Sequence, residues 1–188
     1  MKMKKLIVVL ATVIVAVATQ AASVKWTCTN VYVDSSNKAD GVAYLMLESD
    51  VANFNSLAGD TAGINAAVAK AKYSFTPSTA GTYSLTKTNA ELGLSDGVAY
   101  GNAYLVIFNG ATVADSTGFY VTPSKGLTTL GGDNTASIAF GSQATASKNA
   151  ANWASTTGGS DPGGTPEPTS GLLLLVGAGI LGLRRKRA

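Results

Sequence analysis

Apolar and polar residues alternate through Trp26 and Cys28 in the stretch 24–33, Val-Lys-Trp-Thr-Cys-Thr-Asn-Val-Tyr-Val, and predict a strand. A Ser/Asn/Asp loop follows at 34–40, then a second strand over 41–48, rich in Val, Tyr, Leu and Met. The period then changes. Within 51–72, Ile64, Ala67, Val68 and Ala71 recur at helical spacing, Asp60 or Thr61 can cap that helix, and Val51, Phe54 and Leu57 add an earlier turn. Strand character returns at 73–76, 81–87 and 101–109. The last of these holds Ala103-Tyr104-Leu105-Val106-Ile107-Phe108, the most apolar run between the two chain ends, and is expected to be a central strand. Asn109-Gly110 signals a tight turn. Stretches 111–114, 118–122 and 135–140 complete the set, and Pro123 ends one strand because it has no N–H for a ladder.

Short strands at close spacing, parted by Gly/Asn/Asp turns, predict a mainly β fold. It is either an antiparallel β-sandwich or a two-layer sheet with one packed helix. The pentapeptide Asp-Gly-Val-Ala-Tyr occurs at 40–44 and again at 96–100, each time as a turn leading into a strand. It is either the trace of a duplicated half-domain or repeated turn chemistry. From Gly141 to Thr165 the chain turns Ser/Thr/Ala/Gly-rich. The reading is a β-rich domain over 23–145 and a flexible linker over 146–165. Trp153 stands out in that linker and is expected to pack back on the sheet, with the membrane interface as the alternative.

Both ends carry apolar runs beside cations. Lys2, Lys4 and Lys5 precede the apolar run 6–18, and Thr19-Gln20-Ala21 supplies small residues for a peptidase. That is a secretory signal peptide over 1–22, with an N-terminal signal helix and cleavage near Ala21 or Ala22. At the other end, Pro166-Glu167-Pro168 is followed by an uncharged Gly- and Leu-rich run over 170–183, then Arg184-Arg185-Lys186-Arg187. The prolines keep the first part extended. A helix over 170–183 would be roughly 21 Å long at about 1.5 Å per residue, short for a hydrocarbon core of about 30 Å. Snorkelling cations absorb part of that mismatch. The expectation is a C-terminal transmembrane helix, with Arg184, Arg185, Lys186 and Arg187 holding the end on the cytoplasmic side and the region between the two ends exported.

The tail resembles a PEP-CTERM sorting signal over residues 166–188. That resemblance implies a Gram-negative-type bacterium and an exosortase, an integral-membrane cysteine enzyme that processes the tail. Pro166, Glu167 and Pro168 would then be its recognition elements. It also implies an association with exopolysaccharide or biofilm, with the chain membrane-anchored before processing and at the cell surface or in the matrix afterwards. More loosely, Ala103-Tyr104-Leu105-Val106-Ile107-Phe108-Asn109 and Ile138-Ala139-Phe140-Gly141-Ser142-Gln143 resemble segments of small β-rich secreted proteins that carry such a tail.

Charge changes meaning once the ends are set aside. The formal net charge is +3, but seven of the 14 cations lie in the signal and the tail. Residues 22–168 then hold seven lysines against all 11 acids, a net charge of −4. Dispersed lysines on an acidic body argue against a nucleic-acid partner, which needs a clustered basic footprint. The chain has one cysteine and no histidine. Cys28 is expected to be buried and inert, and no intramolecular disulfide can form. Ser-His-Asp and Cys-His chemistry is excluded, as are most zinc and copper sites within this chain.

Few constellations remain. Glu48 and Asp50 lie two apart at a strand end, and paired carboxylates are the machinery of glycoside hydrolysis. A solvated strand end is the simpler reading. Asp34, Asn37 and Asp40 make an oxygen-rich loop, but counting back from Gly41 in the calcium-loop register meets Ser36, Lys38 and Asp40. An Asx turn fits better, and Gly131-Gly132-Asp133-Asn134 also reads as a turn. Tyr44, Tyr83, Tyr100, Tyr104, Tyr120, Trp26 and Phe119 fall on strands and are expected in the core rather than in an exposed row for stacking on sugars. No catalytic residue, metal site or cofactor is assigned. There is no Asn-x-Ser/Thr sequon, while the Ser/Thr-rich segment leaves O-glycosylation open. The expectation is a non-enzymatic, exported envelope protein, structural or adhesive, near extracellular polysaccharide. The alternative is a carbohydrate-binding module or carbohydrate-active enzyme with the same tail.

Overall fold

The computed structural model describes residues 21–157. The signal segment before Ala21, the tail and both expected membrane-directed helices lie outside the described residues.

The first strand, β1 (Ser23–Thr29), buries Val24, Trp26 and Cys28 completely and turns Lys25 and Thr27 outward. It is shorter than the expected 24–33, because Asn30 takes φ 53 and ends the strand. Beyond it come β2 (Ala43–Leu47), β3 (Tyr73–Phe75), β4 (Tyr83–Thr88), β5 (Ala99–Phe108), β6 (Gly118–Val121), β7 (Lys125–Thr128), β8 (Thr135–Ser142) and β9 (Trp153–Ser155). A three-stranded sheet runs β4-β1-β8. A six-stranded sheet runs β3-β2-β5-β6-β9, with β7 also paired to β5.

The strands form a sandwich and also carry a packed helix, so the two expected architectures combine. Strand β5 is buried at every position from Ala103 to Phe108 because both of its faces are covered. Ala103, Leu105 and Ile107 join Trp26, Tyr83 and Ile138 in the core between the sheets. Tyr104, Val106 and Phe108 point the other way, into a second cluster with Met46, Phe54, Ile64 and Phe119. The cover on that side is a 3-10 turn (Phe54–Leu57) and α1 (Thr61–Val68). Asp60 caps α1 by accepting from the Gly63 N–H at 2.9 Å, and Ile64 and Ala67 are its buried face. The helical period over 51–72 thus resolves into two short pieces hinged at Gly59, whose φ is +79.

Four expectations need correction. The sandwich is not wholly antiparallel, since β1 and β8 pair in parallel. Residues 111–114 form a loop instead of a strand. Thr112 Oγ1 donates to Asp115 Oδ2 at 2.7 Å, and Ser116 Oγ donates to the Thr112 carbonyl at 2.6 Å. Asn109 Oδ1 closes that loop by accepting from the Thr117 and Gly118 N–H groups. Strand β7 was not foreseen, because Leu127 is its one buried residue. The stretch 146–157, expected to be linker, belongs to the folded body. It continues through α2 (Ala144–Ser147) and a 3-10 turn at Ala150–Asn152 into β9, which pairs antiparallel with β6.

The repeated pentapeptide leads into two adjacent antiparallel strands, β2 and β5. The copies are not structurally equivalent. Tyr44 packs on the helix-side cluster and Tyr100 on the inter-sheet core. Gly97 has φ +69, whereas Gly41 is needed for space beside the Phe108 and Gly110 carbonyls.

Candidate functional site

Two adjoining hollows, of about 500 and 140 Å³, share Asn55, Val121 and Thr122 as walls and form one groove at an end of the larger sheet. Its construction follows from local sequence. In Asn53-Phe54-Asn55 the ring of Phe54 is driven into the helix-side core, so the flanking amides are left exposed. In Asn152-Trp153 the indole turns inward and the Asn152 amide stays out. Thr122, Pro123 and Ser124 cross the middle as the chain leaves β6. The floor is small and apolar, from Ala146, Ala151 and Ala154. Sequence reasoning missed this groove because its residues come from three distant segments. The available signal was the amide flanking a core aromatic.

Glu48 lines the smaller hollow. Its Oε2 accepts from Asn102 Nδ2 at 2.9 Å. The Asn102 amide, with help from Ser124, holds its carboxyl below the usual range, so it is an acceptor at neutral pH. Asp50 does not line that hollow. Lys72 Nζ stands 3.1 Å from Asp50 Oδ2, outside hydrogen-bond alignment, so that contact is electrostatic. The structure does not bring Glu48 and Asp50 to one cleft.

The Asp34 loop is an Asx turn. Asp34 Oδ1 accepts from the Ser36 and Asn37 N–H groups at 2.7 and 2.8 Å, and Oδ2 accepts from Asn37 Nδ2 at 2.8 Å. The Asn37 side chain is the first cause of its lowered pKa. Both oxygens are engaged within the loop. Among the described residues no cluster of three His, Cys, Asp or Glu side chains is suited to a metal ion.

The strand aromatics are core, as expected. Trp26, Tyr83, Tyr104, Phe119 and Tyr120 are buried, and Tyr44 and Tyr100 are half-buried against the clusters. Trp26 and Phe75 meet edge to face at 5.6 Å, and Phe54 and Phe119 at 5.1 Å. The outer face of the smaller sheet carries hydroxyls instead of rings, in rows such as Thr88-Ser23-Thr135. Cys28 is fully buried, and desolvation pushes its thiol up to about 12, away from thiolate chemistry.

Trp153 packs on the sheet. Its Nε1 donates to the Ser147 carbonyl at 2.8 Å and the Tyr32 carbonyl at 3.1 Å. Behind it Tyr120 Oη donates to Gln143 Oε1 at 2.7 Å. This polar network ties the last described strand into the body.

The sorting residues Pro166, Glu167 and Pro168 and the cations Arg184, Arg185, Lys186 and Arg187 lie outside the described residues. So does the span 170–183, and among the described residues no helix is long and apolar enough to cross a membrane. Ala21 and Ala22 are described. Ala21 is exposed, whereas Ala22 is buried and its carbonyl accepts from the Asn89 N–H at 2.8 Å.

Residues 165–187 match a family model, the PEP-CTERM protein-sorting motif. The match is confined to the tail, and no curated protein or solved structure matches the chain. The tail is a PEP-CTERM sorting motif, which implies an exosortase as processing partner and secretion with membrane-associated sorting.

Proposed function

We propose that this chain is an exported cell-envelope protein whose tail an exosortase processes, leaving a β-rich body as a structural or adhesive component near exopolysaccharide. The observation that carries this reading is the sorting motif over 165–187. In this reading Pro166, Glu167 and Pro168 are recognised. The run 170–183 retains the chain in the membrane until processing, and Arg184–Arg187 set its orientation.

The body supports the reading by how far it extends towards the tail. Strand β9 and the Trp153 contacts keep the chain folded to residue 157. Only 158–164 then precede the matched tail, a reach of at most about 25 Å at full extension. The membrane enzyme therefore acts beside a folded domain. We read the body as non-enzymatic. Glu48 lines the hollow while Asp50 does not and stands against Lys72, which supports this over a glycoside hydrolase, whose two carboxyls must flank one bond.

Mass analysis of the mature protein from its native host, with terminal peptides mapped, tests the proposal. Loss of the signal segment and of everything beyond the Pro166-Glu167-Pro168 region is expected. An intact Arg-rich C-terminus would replace the processed substrate with a permanently anchored membrane protein.

A further inference from the structure

We infer that the groove between Asn53, Asn55, Ser124 and Asn152 holds a neutral polysaccharide chain, an inference that rests on the envelope-component reading above and gives it a site and a ligand class. The groove presents hydrogen-bonding groups that are nearly all uncharged. An amide offers a donor and an acceptor side by side, which suits the neighbouring hydroxyls of a sugar ring. The Asn53 and Asn55 side chains bond to no other group among the described residues. Asn152 Nδ2 donates to the Ala146 carbonyl at 2.8 Å, which orients the amide and leaves its oxygen available. Glu48, fixed by Asn102, adds a charged acceptor at the far end for hydroxyl donors.

Charge and shape narrow the ligand. No lysine or arginine lines either hollow, and residues 22–157 hold seven lysines against nine acids, so a polyanion such as a uronic-acid polymer or a phosphorylated chain is repelled. A peptide is the other extended occupant. Peptide grooves gain specificity from pockets for alternate side chains. Here the larger hollow is lined by Ala146, Ala151 and Ala154, which form no row of deep side-chain pockets, and Pro123 beside them offers a patch for the C–H face of a sugar. The two hollows lie side by side with Asn55, Val121 and Thr122 as common walls, so an occupant that reaches both is a chain instead of one small molecule.

Isothermal titration of the mature protein with cellohexaose, laminarihexaose and maltohexaose tests this, with a hexamer of uronic acid and an uncharged decapeptide beside them. Saturable binding of at least one neutral hexamer is expected. It should weaken by about tenfold or more in an Asn55→Ala, Asn152→Ala double variant. It should be unchanged in Ser137→Ala, on the opposite sheet. Both alanine sites are exposed, and equal melting of the variants shows that the fold is intact. The inference is overturned if no neutral hexamer binds, if the uronic-acid hexamer or the peptide binds as tightly, or if the double variant binds like the parent. Terminal mapping of the same sample reads the sorting proposal separately, so a processed protein that binds no hexamer overturns the groove alone.

Discussion

Trp153 and Tyr120 stand opposite each other in the β6–β9 pair, their ring centroids 5.8 Å apart and their planes tilted by 36°. With the two bonds from the indole N–H to the Tyr32 and Ser147 carbonyls, this contact fastens residues 144–157 to the body. Trp153→Phe keeps a ring on Tyr120 but leaves two carbonyls short of a donor, and is expected to cost about 1–3 kcal/mol. Trp153→Ala removes the ring as well and should cost about 3 kcal/mol or more. Urea unfolding of the full chain reads both. If neither variant departs from the parent by more than about 0.5 kcal/mol, the segment is a linker after all.

The mature chain is expected to begin at Ala22. A cut after Ala21 keeps the buried Ala22 and its bond to Asn89, whereas a cut after Ala22 discards both. Losing that acceptor leaves the Asn89 N–H unpaired, at a cost of about 1–3 kcal/mol. N-terminal sequencing of the exported protein decides between the two, and Ser23 as the first residue would refute the prediction.

The elements that could be read in advance are those in which apolar side chains do the specifying. Ala103 to Phe108 announced a central strand because β5 is covered on both faces. Asp60 announced α1 because a carboxylate at that point satisfies a free N–H. The missed elements are specified differently. Strand β7 is held by its ladder with β5 around the single buried Leu127. The segment after Gly141 is held by buried polar atoms. Ser147 Oγ donates to the Gln143 carbonyl at 2.7 Å and accepts from the Tyr32 N–H at 2.9 Å. Such a segment has the composition of a linker and the hydrogen bonding of a core. The groove was hidden for a related reason. Asn55 and Asn152 become neighbours only through the packing of Phe54 and Trp153 inside.

The two Asp-Gly-Val-Ala-Tyr copies should respond differently to the same substitution. At Gly97 a side chain meets open space, but φ is +69, so Gly97→Ala is expected to cost about 1–2 kcal/mol of backbone strain. At Gly41 an added Cβ would fall on the Phe108 carbonyl and within 2.6 Å of the Gly110 carbonyl. Those are backbone atoms fixed by the bonds between Val42 and both Phe108 and Gly110. Gly41→Ala should therefore be the worse by several-fold and can prevent folding. Thermal melts of the pair test this, and equal losses would show the two turns to be equivalent.

Acid stability should carry the mark of Glu91. Its Oε1 accepts from Lys87 Nζ at 2.9 Å, and its Oε2 accepts from the Thr88 N–H at 2.9 Å and from the Thr88 hydroxyl at 3.0 Å. These bonds, that of Lys87 foremost, hold its carboxyl down from 4.5 to about 2. The folded value lies below the unfolded one, so the contribution is complete above about pH 4.5 and disappears as the pH falls toward about 2. Glu91→Gln keeps the shape and removes the charge. The parent should be the more stable at neutral pH, with the gap narrowing through that window and closing at its lower end. Denaturant midpoints of both proteins at stepped pH measure it. A gap that stays constant down to pH 2 would show that Glu91 acts through its shape and hydrogen bonds, independent of its ionisation.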